Sequence, residues 1–301
     1  MSPATNSILS THKSLPHTLN LIGGGRVGQT LARLWNLQTT FAVQDVLTTS
    51  LPSAQTAIGF IGAGHAVDQM PAMRNADVWM LAVPDARVAA VAQQLADQCR
   101  HAPPAIAFHC SGALGASVLE PLAALGWRVA SSHCILSFAS SASAISQFPG
   151  TPCALEGDAV ATQLLHAAFT AIGAQCFDVR SEDKVLYHAA AVFATNFLPV
   201  LQGLAEDAWR ATGVPAELFP HLRASLLANA VANINRTGPA GALTGPAARG
   251  DVAAIARQAQ VVTDWNPQAG AAYEALSALA LRMAETTKAS KDSTATTATK
   301  N

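Results

Sequence analysis

Between residues 19 and 179 the chain alternates short apolar runs with stretches in which apolar residues return every three or four positions. The short runs, at 19–22, 41–47, 78–83, 105–108, 128–130, 153–155 and 175–179, have the length and composition of buried strands. Between the first two, Val27, Leu31, Leu34 and Trp35 fall at i, i+4, i+7 and i+8, and Val88, Val91, Ala92 and Leu95 mark a second amphipathic helix. Apolar strands separated by amphipathic helices predict an α/β fold, a doubly wound and mainly parallel sheet covered on both faces. After residue 179 the rhythm becomes purely helical. One helical pattern covers 181–212 and stops at Gly213, and Pro215 suits the first turn of another that reaches about residue 235. A Gly/Pro loop is expected over 237–250. Asp251 then caps a helix over 252–262, and a last helix covers 267–286. The pattern predicts an α/β domain over 18–179, a smaller all-α domain over 180–287, and disordered tails at 1–17 and 288–301.

Composition changes this picture in one respect. Half of the 301 residues are hydrophobic and only 12% are charged, about half the usual charged share. A monomer so poor in charge would show water much apolar surface, so a large subunit interface and a homodimer are expected. The net charge of -1 and the lack of a basic run exclude nucleic acid and anionic membrane as partners. The most lipid-like stretch, 186–205, carries His188, Asn196, Pro199 and Gln202, and reads as a buried helix rather than a membrane span. Five cysteines, odd in number and without a CxxC pair, read as free thiols. With no signal-type apolar core in 1–17, they point to the cytoplasm.

The first strand runs into Gly23-Gly24-Gly25-Arg26-Val27-Gly28, a GxGxxG that opens a helix. Gly23 makes the tight turn, Gly25 admits a pyrophosphate to the backbone, and Gly28 lets helix and strand pack closely; Arg26 and Val27 lie in the same cradle. This is the Rossmann fingerprint for a dinucleotide. The second cluster, Gly59, Gly62 and Gly64, lacks that context and reads as a turn beside the third strand. Where an NAD site carries an acid to hold the ribose 2′-hydroxyl, this chain has Thr48-Thr49-Ser50; Asp45 falls mid-strand and reads as structural. Hydroxyls there do not repel a 2′-phosphate and Arg26 adds a cation, so NADP is favoured over NAD.

Ligands of such sheets lie beyond the carboxyl ends of the strands. Three polar clusters end strands there: Val83-Pro84-Asp85, His109-Cys110-Ser111-Gly112 and Ser132-His133-Cys134. Val83 and Pro84 are expected beside the nicotinamide, Ser111 and Gly112 beside a substrate, and His133 as a proton carrier. Zinc is rejected for the two His-Cys pairs, because strand neighbours face opposite ways, and Cys-Ser-Gly-Ala is not a hydrolase elbow. Along the first helix of the second domain, Lys184, His188 and Thr195 fall within about 40° of one another, with Asn196 at the edge of that face. There Lys184 and His188 are candidate catalytic groups and Asn196 a substrate contact. Arg249, in Leu243-Thr-Gly-Pro-Ala-Ala-Arg-Gly-Asp251, is a candidate for a substrate carboxylate.

The glycine loop, Val83-Pro-Asp85, His109-Cys-Ser-Gly-Ala113, the stretch 184–196 and the stretch 243–251 together resemble a family of Rossmann-like oxidoreductases. These are grouped with deazaflavin-dependent NADP oxidoreductases and carry a helical C-terminal domain of unassigned function. More distantly the chain is similar to the 6-phosphogluconate, 3-hydroxyisobutyrate, ketopantoate and prephenate dehydrogenases. In several of those a Lys, with an Asn four residues later, serves the carbonyl; Lys184 matches, while His188 stands at the Asn position and Asn196 follows two turns on. In prephenate dehydrogenases a Ser and a His-Pro hold the substrate; Ser111 and His133 match, and Cys134 replaces the Pro. The resemblance implies an NADP cofactor and pairing through the helical domain. The sequence thus reads as an NADP-dependent oxidoreductase acting on a small, carboxylate-bearing keto or hydroxy acid. Two other readings stay open: a non-catalytic dinucleotide-binding or redox-sensing protein, and hydride transfer between NADP and a deazaflavin.

Overall fold

A computed structural model describes residues 16–298 of the chain, with side chains over 16–289. Its centre is one eight-stranded sheet in the order β3-β2-β1-β4-β5-β6-β7-β8. The strands are β1 (Thr18–Ile22), β2 (Ala42–Leu47), β3 (His65–Val67), β4 (Val78–Leu81), β5 (Ile106–His109), β6 (Arg128–Cys134), β7 (Pro152–Gly157) and β8 (Gln175–Asp178). All neighbours run parallel except β6 and β7. The order reverses at β1, so β1 and β4 diverge at their carboxyl ends, the place where an open α/β sheet offers a crevice. Helices α1 (Arg26–Leu37), α2 (Leu51–Ile61), α3 (Asp85–Gln98), α4 (Glu120–Ala123), α5 (Ser141–Gln147) and α6 (Ala159–Ala171) connect the strands.

The apolar stripe of α1 does what its spacing predicts. Leu31 and Trp35 are buried on one face of the sheet, with Val27 and Leu34 packed at the edge of the same core. Trp35 meets Phe41, Phe108 and Phe169 edge to face, and its indole N–H donates to the Ala168 carbonyl at 2.9 Å. On the other face Val88, Val91, Ala92 and Leu95 of α3 pack with Trp79, Leu81 and Trp127. Two differences from the sequence pattern have physical reasons. The three-residue edge strand β3 and the helix α2 before it give too little periodicity to stand out, although Gly62 does end α2 in the left-handed region at φ 79°. β6 continues past residue 130 through Ser131, Ser132 and His133, because antiparallel pairing with β7 supplies ladder bonds that side-chain polarity does not reveal.

Beyond β8 the described residues are helical: α7 (Lys184–Ala191), α8 (Phe197–Ala211), α9 (Phe219–Ala242), α10 (Gly245–Arg249), α11 (Val252–Trp265) and α12 (Pro267–Ala298). A wide π-type turn, Val192–Asn196, separates α7 from α8 and breaks the 100° register assumed for Lys184, Thr195 and Asn196. Packing divides the chain into two units, one ending at Ala194 and one beginning at Thr195. Helix α7 therefore goes with the sheet, although the strand rhythm ends at 179.

The loop expected at 237–250 is largely helical. α9 continues to Ala242 across a break at Gly238 (φ 71°) and Pro239, and α10 follows. Asp251 caps α11 as expected, accepting from the Ala254 N–H at 3.0 Å. The stretch expected to be disordered from 288 continues as α12 to Ala298, through sequence with no Gly or Pro to break it; residues 1–15 and 299–301 lie outside the described residues. The run 186–205, expected to be buried, is not: Leu186 is 75% and Val200 58% exposed. By length and composition alone the helical run Ser181–Ala211 is long and apolar enough to cross a membrane.

Candidate active site

Each glycine of the fingerprint has its own reason to be glycine. Gly23 sits at φ +106°, its N–H donates to the Leu47 carbonyl at 2.8 Å, and a Cβ there would strike the Ala82 carbonyl oxygen. A Cβ on Gly28 would lie 2.5 Å from the Gly23 oxygen and 3.0 Å from the Ala82 Cβ, so helix and strand touch there. A Cβ on Gly25 would meet nothing within 4 Å, so the loop is open to an approaching group at that point. Gly25 is the N-cap of α1 and no side chain caps this helix, which leaves first-turn N–H groups and the positive end of the helix dipole facing outward. These features fit a dinucleotide pyrophosphate. Val83 packs against Gly23, with its Cγ1 3.1 Å from where a Gly23 Cβ would be, and Pro84 is the N-cap of α3. Thr48 lies against Gly24 and its hydroxyl donates to the Ser50 carbonyl at 2.8 Å; Thr49 beside it is exposed, as is Arg26. Asp45 is buried and held by Arg74, with Nη2 at 2.6 Å and the backbone N–H at 2.7 Å. Burial raises its carboxyl, but the hydrogen bonds from Arg74 outweigh that and hold it below the usual carboxylate range. It is structural, as its mid-strand position suggests.

Beside this loop a cavity of about 240 Å³ opens, lined by Val27, Leu31, Asp85, Cys110, Ser111, Gly112, Ser132, His133, Cys134, Leu136, Phe138 and His188. The Ser111 hydroxyl donates to Asp85 Oδ2 at 2.7 Å and accepts from the N–H groups of Ala113 and Leu114. His133 Nδ1 and the Tyr187 hydroxyl are 2.8 Å apart, and the His133 and His188 rings meet edge to face at 5.4 Å. Burial, then the neighbouring His188 and Lys184, lower His133 to about 4, so its ring is neutral near pH 7. His188 Nδ1 is buried and finds no hydrogen-bond partner among the described residues. Both imidazoles crowd Gly112: a Cβ there would collide with His188 Nδ1 and sit 2.8 Å from His133 Nε2. Glycine at 112 keeps the space between the two rings open.

Lys184 takes a different place from the one its helix face suggests. It is 1% exposed and does not line the cavity. Its Nζ donates to Ser131 Oγ at 2.7 Å and to the Ser111 carbonyl at 3.2 Å, beneath the cavity floor. Burial lowers its pKa, against the pull of Glu156 and Asp85. Glu156 completes the network, accepting from Ser131 Oγ, Ser181 Oγ and the Ala116 N–H at 2.6–2.9 Å. His109 belongs to the same support: the Ser111 N–H donates to its Nδ1, and Nε2 donates to the Gly115 carbonyl.

The structure thus brings together Val27, Ser111, Gly112, His133 and His188. Lys184 sits behind them. Asn196 and Arg249 belong to the second unit. Asn196 is exposed and accepts from Thr195 Oγ1; Arg249 is exposed and lines a groove of about 540 Å³ with Leu243, Val252, Leu281 and Glu285. Sequence reasoning passed over Tyr187, Ser131 and Glu156 as site residues, and named Asp85 within a strand-end cluster without giving it a role. Tyr187 had a signal, lying three residues after Lys184 on the same side of α7. Glu156 had one too, as a carboxylate ending an apolar strand.

In sequence, residues 2–133 match the Rossmann-like domain and residues 151–280 match a domain of unknown function, DUF2520. No curated protein matches the chain. Among solved structures it is similar to the protein TM1727 from Thermotoga maritima, at a TM-score of 0.71 and 24% identity over 90% of this chain and 99% of that one. It is also similar to a pyrroline carboxylate reductase from Plasmodium falciparum with NADP bound, at a TM-score of 0.55 and 12% identity over 90% and 99% of the two chains. A third is the V8 variant of an imine reductase from Myxococcus stipitatus in complex with NAD+, at a TM-score of 0.56 and 18% identity over 91% and 94%. At these identities the likeness establishes the fold. The chain joins a Rossmann-like domain to a C-terminal DUF2520 domain whose match takes in β7, α6 and β8 as well as the helices that follow.

Proposed function

We propose that the chain is an oxidoreductase that transfers hydride between a nicotinamide dinucleotide, NADP in preference to NAD, and a small keto or hydroxy compound. The carrying observation is Val27, which belongs to the glycine loop and also lines the cavity that holds Ser111, His133 and His188. A cradle suited to a pyrophosphate and a pocket of proton-bearing side chains therefore adjoin. Gly23 to Gly28 hold the diphosphate, with Val83 and Pro84 beside the nicotinamide and Thr48 and Thr49 toward the ribose. When bound, the cofactor supplies or accepts the hydride.

The chain's own groups handle the oxygen and its proton. With the Tyr187 hydroxyl donating to Nδ1, the His133 ring proton sits on Nε2, the nitrogen nearest Gly112. A neutral imidazole there donates a hydrogen bond to a carbonyl oxygen. His188 Nδ1, buried beside Gly112 without a partner, gains one from the substrate. Ser111, fixed by Asp85, orients the substrate. Lys184 is a positioning residue that ties the Ser111 carbonyl to Ser131. Among the described residues Asp85 is the single carboxylate lining the cavity and no Lys or Arg lines it, so neutral keto compounds stand beside keto acids as substrates.

The test mixes purified protein and NADPH with a panel of keto acids and neutral ketones and follows loss of the reduced nicotinamide absorbance. Turnover is expected with at least one, and His133→Ala is expected to lower kcat by about a hundredfold, the scale of a lost general acid or base. Tight cofactor binding with no turnover on any panel member favours the non-catalytic reading instead.

The same reading includes a second copy of the chain. Leu186, Phe193, Val200 and Val261 are 58–75% exposed, more apolar surface than a charge-poor monomer tolerates. Light scattering is expected to report a dimer; a monomer that floats with lipid vesicles would assign the Ser181–Ala211 run to a membrane instead.

A further inference from the structure

Three cysteines stand in one row across three neighbouring strands. Cys134 on β6 pairs in register with Cys153 on β7, and Cys153 pairs with Cys176 on β8. Residues paired across a sheet point to the same face, so the three thiols form a ladder at right angles to the strands. The Cys134 and Cys153 sulfurs are 3.6 Å apart, and Cys176, the register partner of Cys153 on the next strand, accepts from the Thr170 hydroxyl at 3.9 Å and donates to the His166 carbonyl at 3.8 Å. The Ile135 N–H donates to the Pro152 carbonyl, which makes Cys134 and Cys153 the closely spaced, non-hydrogen-bonded pair of the antiparallel ladder. Such pairs have Cα atoms roughly 4.5 Å apart, within the range a disulfide spans. The row joins two different environments. β8 is the edge strand and Cys176 is half-buried, whereas Cys134 is buried from solvent and lines the candidate active-site cavity.

We propose that this ladder is a dithiol–disulfide site, in which a small external disulfide oxidises Cys176 and the oxidation passes inward to become a Cys134–Cys153 disulfide in the cavity wall. With oxidised glutathione as oxidant, the Cys176 thiolate attacks one glutathione sulfur. A Cys176–glutathione disulfide forms and the first glutathione leaves as a thiol. Cys153 then attacks the Cys176 sulfur, and the second glutathione leaves. Cys134 attacks Cys153, the Cys134–Cys153 bond forms, and Cys176 returns to the thiol. Two protein thiols are oxidised and one glutathione disulfide is reduced to two glutathiones. Each displacement favours a nearly linear line of three sulfurs, which a row across the sheet provides. Hydrogen bonding between neighbouring thiols, together with burial, raises Cys153 and Cys176, so both are protonated near pH 7 and the exchange proceeds at alkaline pH, where some thiolate forms. The site is independent of the hydride-transfer reading.

The experiment incubates the full chain with oxidised glutathione at mildly alkaline pH, alkylates remaining thiols after unfolding, and maps disulfides by mass spectrometry of an unreduced digest. The expected product is a Cys134–Cys153 linked peptide, with Cys99, Cys110 and Cys176 alkylated and full reversal by dithiothreitol. In Cys176→Ser the same linked peptide is expected to form at least tenfold more slowly. A wild-type digest that shows five alkylated thiols, or glutathione left on Cys176 with no protein disulfide, overturns the proposal. An undiminished rate in Cys176→Ser overturns the inward passage.

Discussion

The sheet unit and the helical unit close their apolar surfaces in opposite ways. Trp35, Trp79, Phe108, Phe148 and Phe169 are all under 2% exposed, so the sheet unit buries these five large aromatic residues by itself. In the helical unit, the buried apolar residues among those described are Phe219, Ile255, Ala259 and Ala269, while Val200, Val252 and Val261 are 58–67% exposed. A parallel sheet between helix layers needs no partner to bury its strands. Helices apolar on more than one face do. The sheet unit also invests its interior in polar groups: Lys184, Glu156, Ser131 and His109 are buried there and hydrogen-bonded to one another or to backbone. Stability of the one unit thus rests on its own network, and that of the other on what covers it.

The largest expected effect falls on that network. Lys184→Met leaves Ser131 and the Ser111 carbonyl without their shared donor, and Glu156 without its nearby cation. Breaking a buried charged network of this kind costs about 3–5 kcal/mol, which a urea titration of the sheet unit's tryptophan fluorescence reads directly. If the loss is under about 1 kcal/mol, the scale of an exposed ion pair, the network is not what holds the floor together.

Next comes the glycine loop. Gly25 has open space around it, so Gly25→Asp leaves the fold intact while setting a carboxylate where the diphosphate is proposed. Calorimetry is expected to show dinucleotide affinity falling about a hundredfold, or roughly 3 kcal/mol. Unchanged affinity would move the cofactor elsewhere.

Acid sharpens the contrast further. Burial first, with help from Lys184, depresses His109 and His133 to about 4, against an ordinary value near 6.5. Between those values the unfolded chain binds protons that the folded chain refuses. Stability is therefore full above about pH 6.5 and is lost as pH falls toward 4, by about 2 kcal/mol per ring between pH 7 and 5. Urea midpoints at the two pH values measure it, and a flat profile would mean that the rings are not held neutral. The smallest effect on stability is expected from Val200→Asp in the helical unit, within about 0.5 kcal/mol for an exposed site. Its readout is assembly: light scattering should show the dimer weakened, and an unaffected dimer places the interface elsewhere.

Much of this was legible in the sequence because local rules and the fold agree. The GxGxxG loop, the stripe through Leu31 and Trp35, and the Asp251 cap each depend on residues close together in the chain. The site was legible at strand ends and in His188 on α7. Ser111, Gly112 and His133 could be named because a doubly wound sheet gathers such residues, and they do line one cavity. Lys184 was seen on the right helix but given the wrong surroundings, since its partners lie 53 and 73 residues away on other elements. Asn196 was placed on a common face by an unbroken 100° rotation that the π-type turn does not keep. Glu156 depends on antiparallel register between β6 and β7, which no periodicity announces.

The central claim is that the loop from Gly23 to Gly28 receives a nicotinamide dinucleotide, and titration calorimetry of the full chain tests it most directly. The account predicts one saturable site per chain, NADPH bound more tightly than NADH, and both lost in Gly25→Asp. No uptake of either coenzyme by the folded protein, or uptake that Gly25→Asp leaves unchanged, would contradict it.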